Sequence, residues 1–390
     1  MHYVCSSYNT FMNEQIVIIG GGVSALMLAS LLPGKSVTVV EKNAAPGAKI
    51  LVSGGGKCNI TNALMDADFF VADKSFVEPS LKAFDEKDLL QWLKRRGLEP
   101  VIRKGSQYFC KESSRELLSL LQKESRKQHF LYNETVLSVS KRETHFYVKT
   151  DKRMLTADAV VVASGGLSFP RLGASGIGYE IAEKFGHSIV RTAPALVGFT
   201  VQKEQFFFKE LSGASADVLI KVNGQRCRGS LLFAHKGISG PAVLDASLYW
   251  ERGKIEIDFL PGFSWKNVCK SPKQLSSLLP LPKRVTKAFL LQLKLQDKTG
   301  SKITDNELLV LKGLNHYRFA PAGTFGYSRA EVTRGGVDTS EVDSRTMMSK
   351  KVEGLFFTGE VLDVTGRLGG YNFQWAFSSA VSCARFLGHL

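Results

Sequence analysis

A glycine-rich turn between a strand and a helix constrains the fold of this chain more than any other feature. The residues are Gly20-Gly21-Gly22-Val23-Ser24-Ala25. They follow the apolar run 15–19, which has the pattern of a buried parallel strand, and precede an apolar helix over 23–32. A second strand is predicted over 36–41. The order strand, turn, helix, strand predicts a βαβ opening of an α/β fold.

The spacing of this turn fits G-x-G-x-x-G/A, the signature of a dinucleotide-binding turn. Gly20 permits a tight turn, Gly22 lets backbone N–H groups approach a pyrophosphate, and Ala25 allows the helix to pack closely on the sheet. About 20 residues further on, Glu41 ends the second strand and is placed to accept hydrogen bonds from ribose hydroxyls. The opening therefore predicts a dinucleotide cofactor.

Two later segments favour FAD over a nicotinamide cofactor. Residues 158–166 read D-A-V-V-V-A-S-G-G, a buried strand that ends in small residues, as in a second flavoprotein signature. Residues 354–360 form another strand followed by Gly359 and Glu360, and we expect the acid to face the ribityl chain. The string 173–178 fits a second dinucleotide fingerprint poorly. NAD(P)H, if it is the reductant, would therefore bind only transiently.

The pattern of apolar and polar residues changes between residues 192 and 333. Short alternating strands predict a β-rich insert over 192–260 and 317–333, and helical spacing predicts a small helical part over 261–316. The cofactor domain would then comprise residues 13–191 and 334–390.

Charge and cysteine usage bear on partners and compartment. The formal net charge is +15, which would attract polyanions, but the Lys and Arg residues are scattered and we do not expect nucleic acid as a partner. The densest groups, at 94–96 and 123–127, are interpreted as solvated helix faces. The six cysteines form no C-x-x-C pair, so we expect a reducing, cytoplasmic location, no metal site, and direct electron transfer from cofactor to substrate.

The apolar stretch 16–32 resembles a signal or membrane segment but lacks the usual flanks. Residues 1–15 contain no Lys or Arg, and three glycines interrupt the stretch. We therefore predict neither an export signal nor membrane attachment. Residues 1–11 read as a loose extension, and Met12 is an alternative start.

A further glycine-rich box, residues 47–62, contains S-G-G-G-K-C-N-I-T-N. It resembles the HI0933-like flavoprotein family, and the resemblance continues at 233–241 (F-A-H-K-G-I-S-G-P), 359–363 (G-E-V-L-D) and 369–376 (G-G-Y-N-F-Q-W-A). It extends over nearly all of the chain from about residue 14.

The resemblance implies an FAD-binding Rossmann-like domain split around a β-barrel-like insert with a small helical piece. Known activities in this family include reduction of unsaturated steroid acids and oxidation of small amino ketones. The chain departs from the family pattern at Lys57, Ile177 and Thr365, where Arg, a Gly-Asp-Gly segment and an acid are common. These departures limit any transfer of substrate from relatives.

The predicted site combines these segments, with FAD held non-covalently. The cofactor-binding residues are predicted to be Gly20, Gly22, Ser24, Ala25, Glu41, Lys42, Lys49, Ser53, Gly54, Gly55, Cys58, Asn59, Val136, Ala163, Ser164, Gly165, Gly359, Glu360, Gly370, Tyr371, Asn372, Phe373 and Gln374.

Three residues are candidates for acid–base or covalent chemistry. Cys58 could donate a proton or form an adduct, or simply pack against the ring. His235 could titrate near neutrality or serve a structural hydrogen bond. Tyr371 lies at the start of the last helix, which is predicted near 372–387. We expect the N-terminal N–H groups of this helix to stabilise the reduced flavin at its N1/C2=O edge.

The predicted function is hydride exchange between flavin N5 and a small organic substrate. Reduction and oxidation both stay open, as does the oligomeric state. The alternatives are a flavoprotein that acts on nucleic acid, such as a tRNA-modifying enzyme, an amine oxidase that uses oxygen, and an FAD-binding scaffold without turnover.

Overall fold

A computed structural model describes residues 15–388 of the chain. The predicted extension over residues 1–11 and the alternative start at Met12 lie outside these residues. The chain divides into two compact units. The first contains the residues through Ala193 together with those from Val332 onward, and the second is Pro194–Glu331.

Twelve α-helices are present among the described residues. They are α1 Val23–Ser30, α2 Ala48–Val52, α3 Lys74–Ala83, α4 Glu86–Lys94, α5 Arg115–Ser125, α6 Ile177–Lys184, α7 Phe207–Glu210, α8 Pro241–Tyr249, α9 Leu275–Leu278, α10 Lys283–Gln292, α11 Asp305–Lys312 and α12 Tyr371–Gly388.

Twenty-two strands, several of only two residues, are present in the same part of the chain. They are β1 Gln15–Ile19, β2 Ser36–Val40, β3 Asn59–Asn62, β4 Phe70–Val71, β5 Val101–Arg103, β6 Gln107–Phe109, β7 His129–Leu131, β8 Val136–Arg142, β9 His145–Thr150, β10 Met154–Ala157, β11 Ala159–Val162, β12 Ile189–Ala195, β13 Phe199–Thr200, β14 Ser215–Val222, β15 Gln225–Ala234, β16 Gly237–Ser239, β17 Ile255–Asp258, β18 Tyr317–Phe319, β19 Gly323–Thr324, β20 Val332–Val337, β21 Leu355–Phe357 and β22 Thr365–Gly366.

The first unit is built on a five-stranded parallel sheet in the order β21-β11-β1-β2-β7. Its central strand β1 is almost fully buried. Because both faces of such a sheet are covered, its strands are continuous apolar runs such as Ala-Val-Val-Val in β11. This α/β, Rossmann-like architecture confirms the predicted fold class, and the predicted βαβ opening is β1-α1-β2.

Helix α12 supplies much of the core of the first unit. Trp375, Phe377 and Cys383 are buried in the same cluster as the residues of α1 and the parallel sheet. The same unit contains the three-stranded antiparallel sheet β10-β9-β8. The buried contacts of α12 hold this helix against α1 and the parallel sheet, on which predicted cofactor residues lie.

The second unit has its own core and its own sheet. Seven antiparallel strands run in the order β18-β17-β14-β15-β16-β13-β19, and an aromatic cluster that includes Phe208, Phe233, Phe259 and Phe289 packs on them. The barrel-like closure expected of the insert is not observed. Among the described residues, β18 and β19 stand at opposite edges of the sheet and do not pair with each other.

Between residues 15 and 388, no helix is both long and apolar enough to cross a membrane.

Candidate active site

The predicted cofactor residues gather first at the carboxyl edge of the parallel sheet. Ile19 is in register with Val40 and with Val162, and Val162 is in register with Phe357. The next residues in the four strands are Gly20, Glu41, Ala163 and Thr358, which therefore stand side by side. In open α/β sheets this edge is where ligands bind.

Gly20 occupies a position that only glycine fits. Its φ is +103°, and an added Cβ would lie 2.7 Å from the Ala163 carbonyl oxygen. The turn of β1 is therefore pressed against the end of β11. A Cβ on Gly22, in contrast, would meet nothing within 4 Å. Gly22 immediately precedes α1, so the N–H groups of the first turn open toward this space, as an anionic pyrophosphate requires.

Glu41 is buried and tied to the same turn. Its Oε2 accepts a hydrogen bond from Gly21 N at 2.7 Å, and its Oε1 accepts one from Asn43 N at 2.7 Å. Its own carbonyl accepts from Glu134 N at 3.1 Å, two residues before the predicted contact Val136. Lys42 is exposed. The carboxylate is thereby fixed beside the glycine turn with lone pairs left for hydroxyl donors.

The box 53–58 folds as a tight left-handed turn. Gly54, Gly55 and Gly56 all have positive φ, between 56° and 83°. A Cβ on Gly54 would come within 2.8 Å of Asn59 N, while one on Gly55 would meet nothing within 4 Å. The turn therefore needs glycine for its conformation and for close packing on one side, and it is open on the other.

Cys58 follows this turn and is fully buried. Burial raises the pKa of its thiol well above the ordinary value, and a hydrogen bond with Cys110 adds to this effect. The same hydrogen bond lowers the pKa of Cys110. A neutral, enclosed thiol favours the packing interpretation of Cys58 over a nucleophilic one.

Lys49 and Glu360 form an ion pair within the first unit. Lys49 Nζ lies 2.5 Å from Glu360 Oε2, and Glu360 Oε1 accepts a hydrogen bond from Thr333 N at 2.9 Å. The two side chains are 34% and 19% exposed. The acid predicted to face the ribityl chain is thus oriented by a lysine and a backbone N–H rather than left to rotate.

Small residues line the neighbouring strand ends. A Cβ on Gly165 would have open space within 4 Å, and one on Gly359 would lie 3.2 Å from Ser24 Cβ. Ser164 is half-buried. Gly359 N donates to Ser379 Oγ at 3.0 Å, which joins this strand end to α12. The strand end at Gly359 is therefore in contact both with Ser24 of α1 and with α12.

The N-terminus of α12 is held against β3. Gly369 and Gly370 have φ of 132° and 97°, and a Cβ on Gly370 would lie 2.6 Å from both the carbonyl carbon and the carbonyl oxygen of Thr61. Asn62 Nδ2 donates to the Gly369 carbonyl at 2.9 Å. The glycines thus serve a close backbone approach within the protein, in addition to any approach to the flavin ring.

The first four residues of α12 also pack within the protein. The ring of Tyr371 packs on Phe69 at 5.2 Å between centroids. Asn372 brackets Gly366, accepting from its N and donating to its O, each at 2.9 Å. Gln374 is fully buried and accepts from Thr61 Oγ1 at 2.7 Å. Phe373 is half-buried.

His235 belongs to the second unit. It lies exposed in the two-residue turn between β15 and β16, whereas every other predicted site residue lies in the first unit. Within residues 15–388, no group of three or more His, Cys, Asp or Glu residues is arranged to hold a metal ion.

The residues present fit an FAD molecule. Ser24 Oγ and Asn59 Oδ1 are buried polar atoms without a hydrogen-bond partner among the described residues, and both belong to predicted cofactor segments. Buried polar atoms are rarely left unpaired. Together with the open space at Gly22, Gly55 and Gly165, these atoms provide a cradle with donors and acceptors for a dinucleotide.

Several residues escaped the sequence-based prediction. Thr333 accepts hydrogen bonds through Oγ1 from Leu167 N at 2.8 Å and Ser168 N at 3.1 Å, besides orienting Glu360. Cys110 immediately follows β6 and shares a side-chain hydrogen bond with Cys58. Asp363 is a third case, because burial and then Asp338 raise the pKa of its carboxyl to about 6. Only Asp363 carried a signal, through its place in the G-E-V-L-D motif.

This chain is similar to known proteins along almost its whole length. The profile of the HI0933-like protein Rossmann domain matches residues 14–386. A ribosomal RNA dihydrouridine synthase of Escherichia coli K12 is 38% identical over 389 residues, covering 95% of this chain and 97% of that protein. A 3-dehydro-bile acid delta(4,6)-reductase of Clostridium scindens is 29% identical over 406 residues, covering 95% and 98%.

A solved structure shares the fold. The 3-ketosteroid delta1-dehydrogenase from Sterolibacterium denitrificans, in complex with 1,4-androstadiene-3,17-dione, aligns with a TM-score of 0.50 at 13% identity, covering 96% of this chain and 99% of that one. The glycine turn, the braced carboxyl edge and the end-to-end match lead to one conclusion. The chain belongs to the HI0933-like family of Rossmann-fold, FAD-dependent oxidoreductases.

Proposed function

We propose that this protein reduces a uridine of ribosomal RNA to dihydrouridine, with FAD as cofactor. The observation that carries the proposal is the 38% identity to an rRNA dihydrouridine synthase along 95% of the chain. The bile-acid reductase matches as great a share of the chain at 29%. The net charge of +15 also suits a polyanionic substrate. The expectation that nucleic acid is not a partner is therefore set aside.

The reaction adds one hydride and one proton across the C5–C6 double bond of uracil. FAD, when bound and reduced, would supply the hydride. C6 is the carbon that accepts it, because the double bond is conjugated with the C4 carbonyl, and a proton is then needed at C5. A base must leave its stack to reach such a site, at a cost of roughly a few kcal/mol. NAD(P)H is the proposed reductant.

The chain's own residues bind and orient in this scheme. The Gly20–Ala25 turn and Glu41 hold the ADP half, and the pair of Lys49 with Glu360 positions the ribityl side. The first turn of α12 supplies N–H groups and a partial positive charge that favour a reduced, anionic cofactor. Asp363 is a group that can carry a proton near neutral pH, since the pKa of its carboxyl is raised to about 6.

The test is nucleoside mass spectrometry on ribosomal RNA. RNA from a strain that lacks the gene should lose one dihydrouridine, and purified protein with NADPH should restore it anaerobically. If the RNA is unchanged by the deletion and the protein forms no dihydrouridine in vitro, the proposal is wrong.

A second arm uses 3-oxo-4,6-diene bile acids as substrates. Reduction of these steroids together with inactivity on RNA would support a steroid reductase instead.

A further inference from the structure

Cations are concentrated in one segment of the second unit. Residues 261–316 contain ten Lys and Arg against three Asp and Glu, a net charge of +7. This is about half of the chain's net charge in about a seventh of its length. Nine of the ten cations are exposed, and the tenth, Lys298, is half-buried. We refer to residues 261–316 as the basic segment.

Among the described residues, only one of the three acids of the basic segment forms an ion pair with one of its cations. Asp297 accepts from Ser276 N at 3.0 Å and from Ser276 Oγ at 2.6 Å. Glu307 pairs with Lys298 at 2.7 Å and caps α11 through Thr304. Asp305 lies in the first turn of α11. Internal carboxylates therefore leave most of this positive charge unneutralised.

Helix α10 displays the charge on one side. Its inner side, with Val285, Phe289 and Leu290, is buried, and Phe289 packs on Phe259 at 4.8 Å between centroids. Lys283, Arg284, Lys287 and Leu291 fall within an arc of about 100° on a 3.6-residue helix, outside the arc that these buried residues occupy. Leu291 is 74% exposed. Lys294 follows just beyond the helix end.

These cations do not help the helix to fold. Lys283 and Arg284 stand in the first turn, where the helix dipole disfavours positive charge by about 0.3–1 kcal/mol, and no acid balances them in that turn. Lys283 and Lys287 repel each other at i,i+4. Arg284 has an internal role, because it donates to the carbonyl oxygens of Glu210 and Ser212. The lysines form no ion pair among the described residues.

An exposed aromatic side chain lies on the element that Arg284 joins to α10. Phe206 immediately precedes α7 and is 44% exposed, and Lys209 Nζ lies 3.5 Å from the centre of its ring. Phe207 of α7 packs on Phe289 of α10 at 5.6 Å. A flat ring beside cations is the combination on which unpaired bases stack. Glu204 and Glu210 are the acids on this element.

We propose that Lys283 and Lys287 on the outer face of α10, together with Lys294 just beyond its end, bind the phosphate backbone of ribosomal RNA. The proposal rests on the proposed function for the identity of the polyanion. RNA is favoured over an anionic membrane because the apolar side of α10 is committed to the core of the second unit, whereas an interfacial helix exposes its apolar side. Exposed lysines outside ion pairs are the usual phosphate ligands.

The test compares two triple variants of the full-length protein. One removes the proposed contacts (Lys283→Ala, Lys287→Ala, Lys294→Ala). The matched control removes three exposed lysines of the first unit (Lys87→Ala, Lys123→Ala, Lys127→Ala). Arg284 is retained because it holds α7. Binding of deproteinised rRNA from the gene-deletion strain is measured by filter retention between about 0.05 and 0.3 M KCl, a range over which the Debye length shortens about 2.4-fold.

The α10 variant should bind this RNA roughly 10- to 100-fold more weakly at about 0.1 M KCl, and its log–log salt slope should be smaller by about two, since each lost phosphate contact removes about 0.7–0.9. The control should keep the wild-type slope. Equal binding by the two variants would overturn the proposal. The proposal would also be overturned if phosphatidylglycerol vesicles compete with RNA for the wild-type protein and the α10 variant no longer binds these vesicles.

Dihydrouridine formation separates this proposal from the proposed function. If the α10 variant modifies RNA with wild-type KM, the surface is wrong and the function stands. The other outcome is that the wild-type protein forms no dihydrouridine, while RNA affinity is lost in the α10 variant and kept in the control variant. In that case the surface stands and the function is wrong.

Discussion

At the scale of single residues, Glu41 shows how a predicted ligand is prepared by its neighbours. Its two carboxylate oxygens accept from Gly21 N and Asn43 N, each at 2.7 Å, so the side chain cannot swing into solvent without leaving two N–H groups unpaired. Lys49 restrains Glu360 in the same manner at 2.5 Å. Residues that would contact the cofactor are therefore already ordered by contacts within the protein.

We expect Glu41→Arg to abolish FAD retention, because it puts a bulky cation where ribose hydroxyls need an acceptor. Glu41→Gln, which keeps the shape and one acceptor oxygen, should retain FAD with roughly 10-fold weaker affinity, the effect of losing about 1.4 kcal/mol. The measurement is the flavin absorbance per protein after gel filtration, with circular dichroism to verify folding. Full FAD content in the folded arginine variant would contradict the assignment of Glu41.

The pH dependence of the second unit should reflect Glu256. A hydrogen bond from Lys221, aided by His316 and Arg318, lowers the pKa of this carboxyl to about 2 from an ordinary value of 4.5. Because the folded pKa is the lower one, the stabilisation is complete above about pH 4.5 and is lost as the pH falls through about 2.

Glu256→Gln should therefore lower the stability of the second unit by about 1 kcal/mol at neutral pH, allowing for solvent screening. Most of that difference should vanish near pH 2.5. Thermal unfolding at both pH values measures it, with the exposed Glu204→Gln as control. A deficit that is the same at the two pH values would mean that the charge of Glu256 does not contribute.

At the scale of elements, the final helix depends on its approach to β3. A Cβ on Gly370 would collide with the Thr61 carbonyl, Asn62 donates to the Gly369 carbonyl, and Gln374 accepts from Thr61. The N-terminus of α12 is therefore positioned by three contacts with the strand that follows the box 53–58. Two predicted cofactor segments that are far apart in sequence are therefore in direct contact.

We expect Gly370→Val to displace α12 from β3 and to lower both FAD affinity and the reduction potential of the flavin. The positive φ alone costs about 1–3 kcal/mol, so the control is Gly186→Val. Gly186 has φ +83° and nothing within 4 Å of an added Cβ, which gives the same kind of strain without the collision. Potentials are measured by dye-coupled reduction. Equal potentials in both variants would show that α12 does not address the flavin.

At the scale of the whole molecule, the chain separates two tasks into two compact units. All predicted FAD contacts lie in the first unit, and the basic segment lies in the second, each unit with its own buried cluster. Independent cores allow one unit to be altered without unfolding the other. The proposed activity then requires both units, whereas each binding step requires one.

The α10 triple variant should accordingly keep the wild-type FAD content and flavin spectrum. Glu41→Arg, even when stripped of FAD, should bind rRNA no more weakly than the wild-type protein. The two readouts are flavin absorbance and filter retention on the same preparations. Loss of FAD from the α10 variant, or loss of RNA affinity from the Glu41 variant, would show that the tasks are coupled.

The sequence by itself determined the features that depend on neighbouring residues. The strand, turn and helix around Gly20, the position of Glu41 and the long final helix follow from local periodicity and from the special backbone freedom of glycine. They were predicted within one or two residues of their observed bounds. Motif resemblance added the family, because its boxes are spread along the chain.

Only the tertiary structure decided which distant residues meet and which side chains stay exposed. The pairing of Lys49 with Glu360 and of Cys58 with Cys110, and the collision that makes Gly370 necessary, depend on strand register and helix packing, which no local period encodes. The expected closure of the insert into a barrel is not observed among the described residues, where the edge strands β18 and β19 do not pair with each other. The lysines of α10 looked scattered because no cation run in 261–316 exceeds two residues, and folding gathers them on one side of a helix.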